Sequence, residues 1–142
     1  MKKITILFAL LIALVGCASQ KGWKKGQAEW AKIQLNDRLT YDQAFAMALE
    51  QVTDKYEMDM ISKDGGYFRS AWNFRTDRKG KKIKDERFRI TVKFNHDRTQ
   101  LQVKTESQKL KKGDWIDGVD SRLETQIKED LRGVLGIWSG ML

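Results

Sequence analysis

The chain has 142 residues, of which 27 are Lys or Arg and 19 are Asp or Glu, and hydrophobic residues make up 41% of it. This length fits one domain, and the apolar fraction is sufficient for a core, which excludes a disordered chain at this modest net charge. The chain has one cysteine and one histidine. These numbers exclude an intramolecular disulfide, a cysteine-based zinc site and a histidine-rich metal cluster. We predict neither a metal nor a cofactor.

The N-terminal segment, MKKITILFALLIALVGC, has the three parts of a secretory signal peptide. Two lysines come first, residues 4–15 are almost entirely apolar, and the small residue Gly16 precedes Cys17. The apolar run of about 12 residues is shorter than the roughly 20 that a transmembrane helix needs. The sequence therefore predicts an exported protein without a membrane-spanning anchor.

The four residues Leu14-Val15-Gly16-Cys17 resemble the lipobox of bacterial lipoproteins. In that class the cysteine thiol receives a diacylglycerol, the chain is cleaved before the cysteine, and the new amino group is usually acylated. The resemblance implies lipidation of Cys17, which would anchor the protein stably because two or more acyl chains suffice for that. Ala18 stands where an aspartate would signal inner-membrane retention in many Gram-negative bacteria, so the resemblance implies the periplasmic side of the outer membrane in such a host. The alternative is a plain signal peptide with an incidental cysteine.

This interpretation divides the chain into a signal peptide (1–16), a lipidated flexible tether (17–28) and a single domain (29–142). The domain begins with a strand, because Ile33 and Leu35 alternate with polar residues. A helix follows, in which Thr40 and Gln43 have the spacing of a capping box. Its predicted apolar face consists of Phe45, Ala48, Leu49, Val52 and Tyr56.

Four more strands are predicted after this helix, joined by short turns. The first two form a hairpin around Asp64-Gly65-Gly66, since tight turns need residues that accept positive φ. A basic connection at 75–84 leads to the strand RFRITVKFN, and a turn with a solvated His96 leads to the last strand. The inward residues of these strands are predicted to be Phe68, Trp72, Phe74, Phe88, Ile90, Val92, Phe94, Leu101 and Val103.

A loop with an exposed Trp115 is predicted next, followed by a final helix. Ser121 and Glu124 are predicted to form its capping box, and its apolar face includes Leu123, Ile127, Leu131, Val134, Leu135 and Trp138. The order β-α-β-β-β-β-α predicts an α+β fold with an antiparallel sheet of about five strands and two helices on one face. The other face of the sheet would stay open to solvent.

The stretch LTYDQAFAMALEQV…MDMISKDGGYFRSAWNF resembles the helix-grip-like domains of small envelope lipoproteins of the BamC type. In both, a helix leads into a hairpin whose second strand has a Gly-aromatic start and a tryptophan. The likeness spans about residues 30 to 105 and transfers no functional residue.

The open face is the candidate binding site, because basic side chains alternate with the core residues of the middle strands. A positive surface attracts phosphate and carboxylate groups or an acidic protein, although outward strand residues are polar in any sheet. Nucleic acid fits the charge but not the compartment. The candidate binding residues are Arg69, Arg75, Arg87, Arg89, Lys93 and Lys104.

No phosphate-binding loop or nucleophile elbow occurs in the sequence, and we predict no enzyme. The sequence favours a non-enzymatic envelope lipoprotein that acts as a structural, assembly or protein-binding component. The alternative is a binder of an anionic envelope polymer, lipopolysaccharide or peptidoglycan, through the basic face.

Overall fold

The structure, a computed structural model, describes residues 22–137. Cys17 and the predicted signal peptide lie outside the described residues, as does Trp138. The strands are β1 (Trp23–Lys25), β2 (Ala31–Gln34), β3 (Met58–Ser62), β4 (Tyr67–Ser70), β5 (Asn73–Thr76), β6 (Lys82–Phe94), β7 (Gln100–Lys111) and β8 (Asp114–Asp120), and the helices are α1 (Tyr41–Thr53) and α2 (Ser121–Leu135).

The strands within residues 22–137 form one antiparallel sheet, built around the long hairpin of β6 and β7. On one side, β6 pairs with β4 and then, nearer its start, with β5, while β3 lies beyond β4. On the other side, β7 pairs with β2 near its start and with β8 near its end, and β1 lies beyond β8. The predicted α+β class and antiparallel sheet are confirmed, but the sheet has eight strands instead of about five.

Both helices pack on the same face of this sheet and share one core with it. In residues 88–94 of β6 and 101–107 of β7 every second side chain is buried beneath the helices, as the sequence predicts. Thr91, on the opposite face of β6, is buried as well. Neither helix within residues 22–137 is long and apolar enough to cross a membrane. The buried core consists of Ile33, Leu35, Ala44, Phe45, Ala48, Val52, Phe68, Phe88, Ile90, Val92, Phe94, Leu101, Val103, Leu123, Ile127, Leu131 and Leu135.

The two helices begin in different ways. The capping box of α1 is confirmed, since Thr40 Oγ1 accepts the Gln43 N–H and the Gln43 side chain accepts the Thr40 N–H. The capping box predicted from Ser121 is wrong, because Ser121 is already helical and Asp120 is the N-cap. The Asp120 carboxylate accepts the N–H groups of the second and third helical residues, where negative charge is favoured by the helix dipole.

Two segments predicted to lack structure belong to the sheet. Trp23–Lys25, expected within the flexible tether, forms β1, which pairs with β8 in the register Trp23 to Asp120 and Lys25 to Gly118. The segment Asp114–Asp120, expected to be a loop, forms β8. Both depend on contacts distant in sequence: the Trp23 ring covers Gly118, where a side chain would collide with it.

The single strand predicted across Trp72 and Phe74 is divided into β4 and β5. Arg69 pairs with Thr91 on β6, but Asn73 pairs with Phe88, so the register moves by one residue between the two strands. A shift of one residue exchanges the two faces of a strand. The prediction that Trp72 and Phe74 point into the core is therefore wrong.

The Ser70 hydroxyl stabilises this irregularity. It accepts the N–H of Ile90 at 2.9 Å and donates to the carbonyl of Ala71 at 2.9 Å. The Asn73 side chain donates to the same carbonyl at 2.8 Å. Side chains thus supply hydrogen bonds at the point between β4 and β5 where the regular ladder to β6 is interrupted.

Candidate functional site on the outer face of the sheet

The face of the sheet that points away from the helices carries a row of tryptophan and basic side chains. Residues that alternate with the core residues of β4, β6 and β7 line this outer face. We call the set the tryptophan–cation row, and its members are Trp30, Lys93, Lys104, Arg89, Trp72, Arg87 and Trp115.

Arg87 lies against two tryptophans of this row. Its guanidinium carbon is 4.6 Å from the ring centre of Trp72 and 3.9 Å from that of Trp115. Its Nε donates a hydrogen bond of 2.8 Å to Oε1 of Gln108. Partial burial, and then the neighbouring charge of Arg89, lower the pKa of Arg87 from its usual value. Among residues 22–137 no carboxylate forms a salt bridge with Arg87, so its positive charge is not balanced locally.

Arg89 is the next cation of the row, and a neighbouring carboxylate balances its charge. Its Nη2 lies 2.9 Å from Oε2 of Glu106, and its guanidinium carbon lies 4.5 Å from the ring centre of Trp72. The other carboxylate oxygen of Glu106 is 3.9 Å from Nζ of Lys104. One carboxylate therefore serves two cations, and the row keeps a positive excess.

Trp30 closes the other end of the row. Its ring centre lies 4.1 Å from Nζ of Lys93 and 5.1 Å from Nζ of Lys104. Lys93 pairs with Tyr67 on one side and Gln102 on the other, which places it in the middle of the sheet. No salt bridge joins Lys93 to an acid in the part of the chain that the structure describes, so it is a second cation without local compensation.

Arg69 shares the outer face but lies outside the row. Its Nε donates a hydrogen bond of 3.1 Å to Oδ2 of Asp59 on β3, and this bond raises the pKa of Arg69. Its charge is thus balanced within the sheet. The structure brings five of the predicted binding residues to one face: Arg69, Arg87, Arg89, Lys93 and Lys104.

Arg75 does not belong to this surface, and its predicted position is wrong. Its Nη2 lies 3.2 Å from Oδ2 of Asp120, the N-cap of α2, on the helix side of the sheet. The cause is the register shift after Ser70, which moves Trp72 outward and Arg75 inward.

The sequence pattern did not predict that Trp30, Trp72 and Trp115 contact the basic residues of the outer face. Trp115 was expected to be exposed but in a loop, and Trp72 was expected in the core. Trp30 begins the predicted first strand, WAKIQLN, at an odd distance from the inward Ile33, and this spacing is the local signal that it points outward.

A cleft of about 560 Å³ lies on the helix side, next to β5. Tyr56, Phe88 and Leu123 contribute its apolar part from the helix side, and Trp72 and Phe74 line it where it reaches the edge of the sheet. Burial raises the pKa of Tyr56. Two of the cations that line it are held by carboxylates of the domain, Lys55 by Asp130 and Arg75 by Asp120. The cleft therefore offers less free charge than the outer face.

The described residues hold no cluster of three His, Cys, Asp or Glu side chains that could bind a metal ion. His96 is exposed in the turn between β6 and β7. No protein-family model matches the chain, and no curated protein matches its sequence. The chemistry of the outer face, which combines flat aromatic rings with guanidinium and ammonium groups, is thus the guide to function.

Proposed function

We propose that the protein is a non-enzymatic lipoprotein of the bacterial envelope that binds an envelope partner through the outer face of its sheet. Lipid on Cys17 holds the domain at a membrane, at the periplasmic side of the outer membrane in a Gram-negative cell. The observation that carries the proposal is the tryptophan–cation row, which lies on the face that neither helix covers.

The composition of the row favours a protein as the partner. Tryptophan and arginine are the residue types most enriched among those that dominate the free energy of protein association. Here Arg87 contacts both Trp72 and Trp115, so the three side chains form a preorganised patch that loses little side-chain entropy on binding. An assembly or structural role fits such a rigid, exposed sheet surface.

Photocrosslinking in intact cells tests the binding face. A photoreactive phenylalanine analogue at Tyr67 places the probe on the outer face, and the same analogue at Gln126 on α2 places it on the helix side. We expect a specific envelope protein to be captured from Tyr67 and not from Gln126. Equal capture from both positions, or none from Tyr67, would contradict the proposed face.

The lipid anchor is tested separately. Mass spectrometry of the native protein should find a mature N-terminus at Cys17 that carries acyl chains. Cys17→Ala should keep its leader and lose incorporation of labelled lipid. An unacylated mature end would remove the proposed location, whatever the crosslinking shows.

A binder of an anionic envelope polymer is the second candidate, because Arg87 and Lys93 are not balanced by acids of the domain. Retention of the protein on lipopolysaccharide or peptidoglycan would then fall steeply with salt. Replacing both Arg87 and Lys93 by Gln should abolish that retention. Replacing Arg69 and Lys63, which are paired with Asp59 and Asp42, is the matched control and should leave it nearly unchanged. Salt-insensitive co-purification with a membrane protein would favour the first candidate instead.

A further inference from the structure

We infer that one end of the sheet contacts the anionic headgroups of the membrane to which the protein is anchored. We call it the basic end, and it comprises residues 77–86, residues 109–114 and β1. The inference rests on the proposed lipid anchor, and it names a surface different from the outer face.

Most of the excess charge of the protein is gathered at the basic end. It holds ten Lys and Arg, five in 77–86, three in 109–114 and two in β1, against four acids, Asp77, Asp85, Glu86 and Asp114, so its formal charge is +6. The whole chain has a formal charge of +8, and it is +6 without Lys2 and Lys3 of the predicted leader. The other residues that follow the predicted leader carry equal numbers of basic and acidic side chains, 15 of each.

The three segments are neighbours in space. The strand β6 starts where β7 ends, with Glu86 opposite Lys109, so the turn before β6 and the turn after β7 lie at the same end of the sheet. The Trp23 ring centre lies 5.2 Å from Nζ of Lys109 and 5.4 Å from Nζ of Lys111. These contacts join β1 to the two turns in one surface.

The charges of the basic end face solvent. Among the described residues, the salt bridge of 2.9 Å between Lys109 and Glu86 is the one ion pair that involves its ten cations. In the turn between β5 and β6, the Asp77 carboxylate accepts the N–H groups of Lys79 and Lys81, at 2.8 and 3.0 Å. The Asp77 carboxylate is therefore hydrogen-bonded to backbone N–H groups, and the basic side chains around it are exposed to solvent.

The path of the chain places this end near the bilayer. The carbonyl of Gly22 accepts the Ser121 N–H at 2.9 Å, which fixes the point where the domain starts. Five residue steps separate Gly22 from Cys17, and even a fully extended chain of this length spans at most about 18 Å. Acyl chains on Cys17 therefore hold β1, and the basic residues beside it, close to the headgroups. Anionic lipids attract clusters of Lys and Arg such as this one.

Vesicle sedimentation tests this contact without the lipid anchor. The protein that starts at Ala18 retains every described residue, so its binding depends on the domain and not on acylation. We expect it to bind vesicles of phosphatidylglycerol and phosphatidylcholine, to bind phosphatidylcholine alone much less, and to be released by salt. Failure of the anchor would appear in the mass spectrum of the native protein, whereas failure of this inference would appear in the vesicle assay.

Two triple variants make the test specific to the surface. Replacing Arg78, Lys79 and Lys81 by Gln should lower partitioning onto the anionic vesicles at least about tenfold. Replacing Lys32, Arg38 and Lys63 by Gln removes the same charge from the opposite end and should lower it less than about threefold. Equal losses, no binding by the unchanged protein, or binding to soluble lipopolysaccharide without binding to vesicles would each overturn the inference.

Discussion

The indole ring of Trp23 lies directly against Gly118, in the space that a Cβ atom at position 118 would occupy. This contact joins β8 to β1, a strand of three residues at the edge of the sheet. The absence of a side chain at Gly118 is therefore what allows the N-terminal strand to pack on the domain.

Gly118→Ala should displace Trp23 and destabilise the protein by about 1–3 kcal/mol, because the added methyl group overlaps the ring. Unfolding in urea measures the loss, and tryptophan fluorescence should report the movement of the ring. Gly133→Ala in α2 is the matched control, since nothing lies within 4 Å of a Cβ there. It should stabilise the protein by about 0.5–1 kcal/mol. Equal effects of both variants would refute the packing argument.

Ser70→Ala should destabilise the fold by about 1–3 kcal/mol, because the buried N–H of Ile90 loses its acceptor. Hydrogen exchange at the Ile90 amide should speed up more than at the amides of β7. In the control Ser62→Ala, the lost hydroxyl accepts the Gly65 N–H at an exposed site where water can replace it, so the free energy of unfolding should change by less than about 0.5 kcal/mol. Unchanged exchange at Ile90 would show that the serine does not hold the register shift.

Asp120→Ala should cost about 1–2 kcal/mol, because it removes the N-cap of α2 and the ion-pair partner of Arg75. Asp120→Asn keeps a capping oxygen and should recover most of the loss. Thermal unfolding of the two variants separates the contribution of the N-cap, which Asn keeps, from that of the ion pair with Arg75, which both variants lose. If Asn were as damaging as Ala, the pairing with Arg75 would be the larger contribution.

Arg87 and Trp115 should be energetically coupled, because the guanidinium lies over the indole ring. A double-mutant cycle with Arg87→Gln and Trp115→Leu should give a coupling free energy of about 0.5–1 kcal/mol. The same cycle with Arg87→Gln and Trp30→Leu is the control and should give a value near zero, since Trp30 contacts Lys93 and Lys104 instead. A similar coupling in both cycles would contradict the direct stacking.

Tyr56 should contribute to stability in a pH-dependent way. Burial raises its pKa, so the folded protein holds the phenolic proton more tightly than the unfolded chain does. This contribution is complete below the unfolded pKa of about 10 and is lost as the pH rises through the higher folded pKa. Tyr56→Phe keeps the ring that contacts Phe88 and should flatten the fall in stability above about pH 10, measured by urea unfolding. If the free energy of unfolding of Tyr56→Phe fell with pH as steeply as that of the unchanged protein, the raised pKa of Tyr56 would be contradicted.

Features that depend on neighbouring residues were predictable from the sequence. The pair Thr40 and Gln43 forms its capping box within one helical turn, and the alternation of Phe88, Ile90, Val92 and Phe94 identifies the buried face of β6. The predicted basic face of the sheet was placed correctly for five of its six residues because it depends on the same alternation.

Features that depend on distant residues were not predictable. The serine at position 70 changes the face of Trp72, Phe74 and Arg75 through a bond to Ile90, twenty residues away. The strands β1 and β8 form because Trp23 fits over Gly118, which no local pattern reveals. The outward positions of Trp72 and Trp115 were not predictable for this reason, since they depend on the register of β5 and on the formation of β8, whereas that of Trp30 follows from its spacing to Ile33.

The concentration of charge at the basic end makes the molecule strongly dipolar, with its other end close to electroneutral. In the field of a negatively charged surface such a body experiences a torque as well as an attraction. It would turn so that β1 and the two adjacent turns lead, before any side chain touches a lipid. If the protein is anchored to a membrane as proposed, this torque would direct the outer face sideways along the bilayer instead of into it.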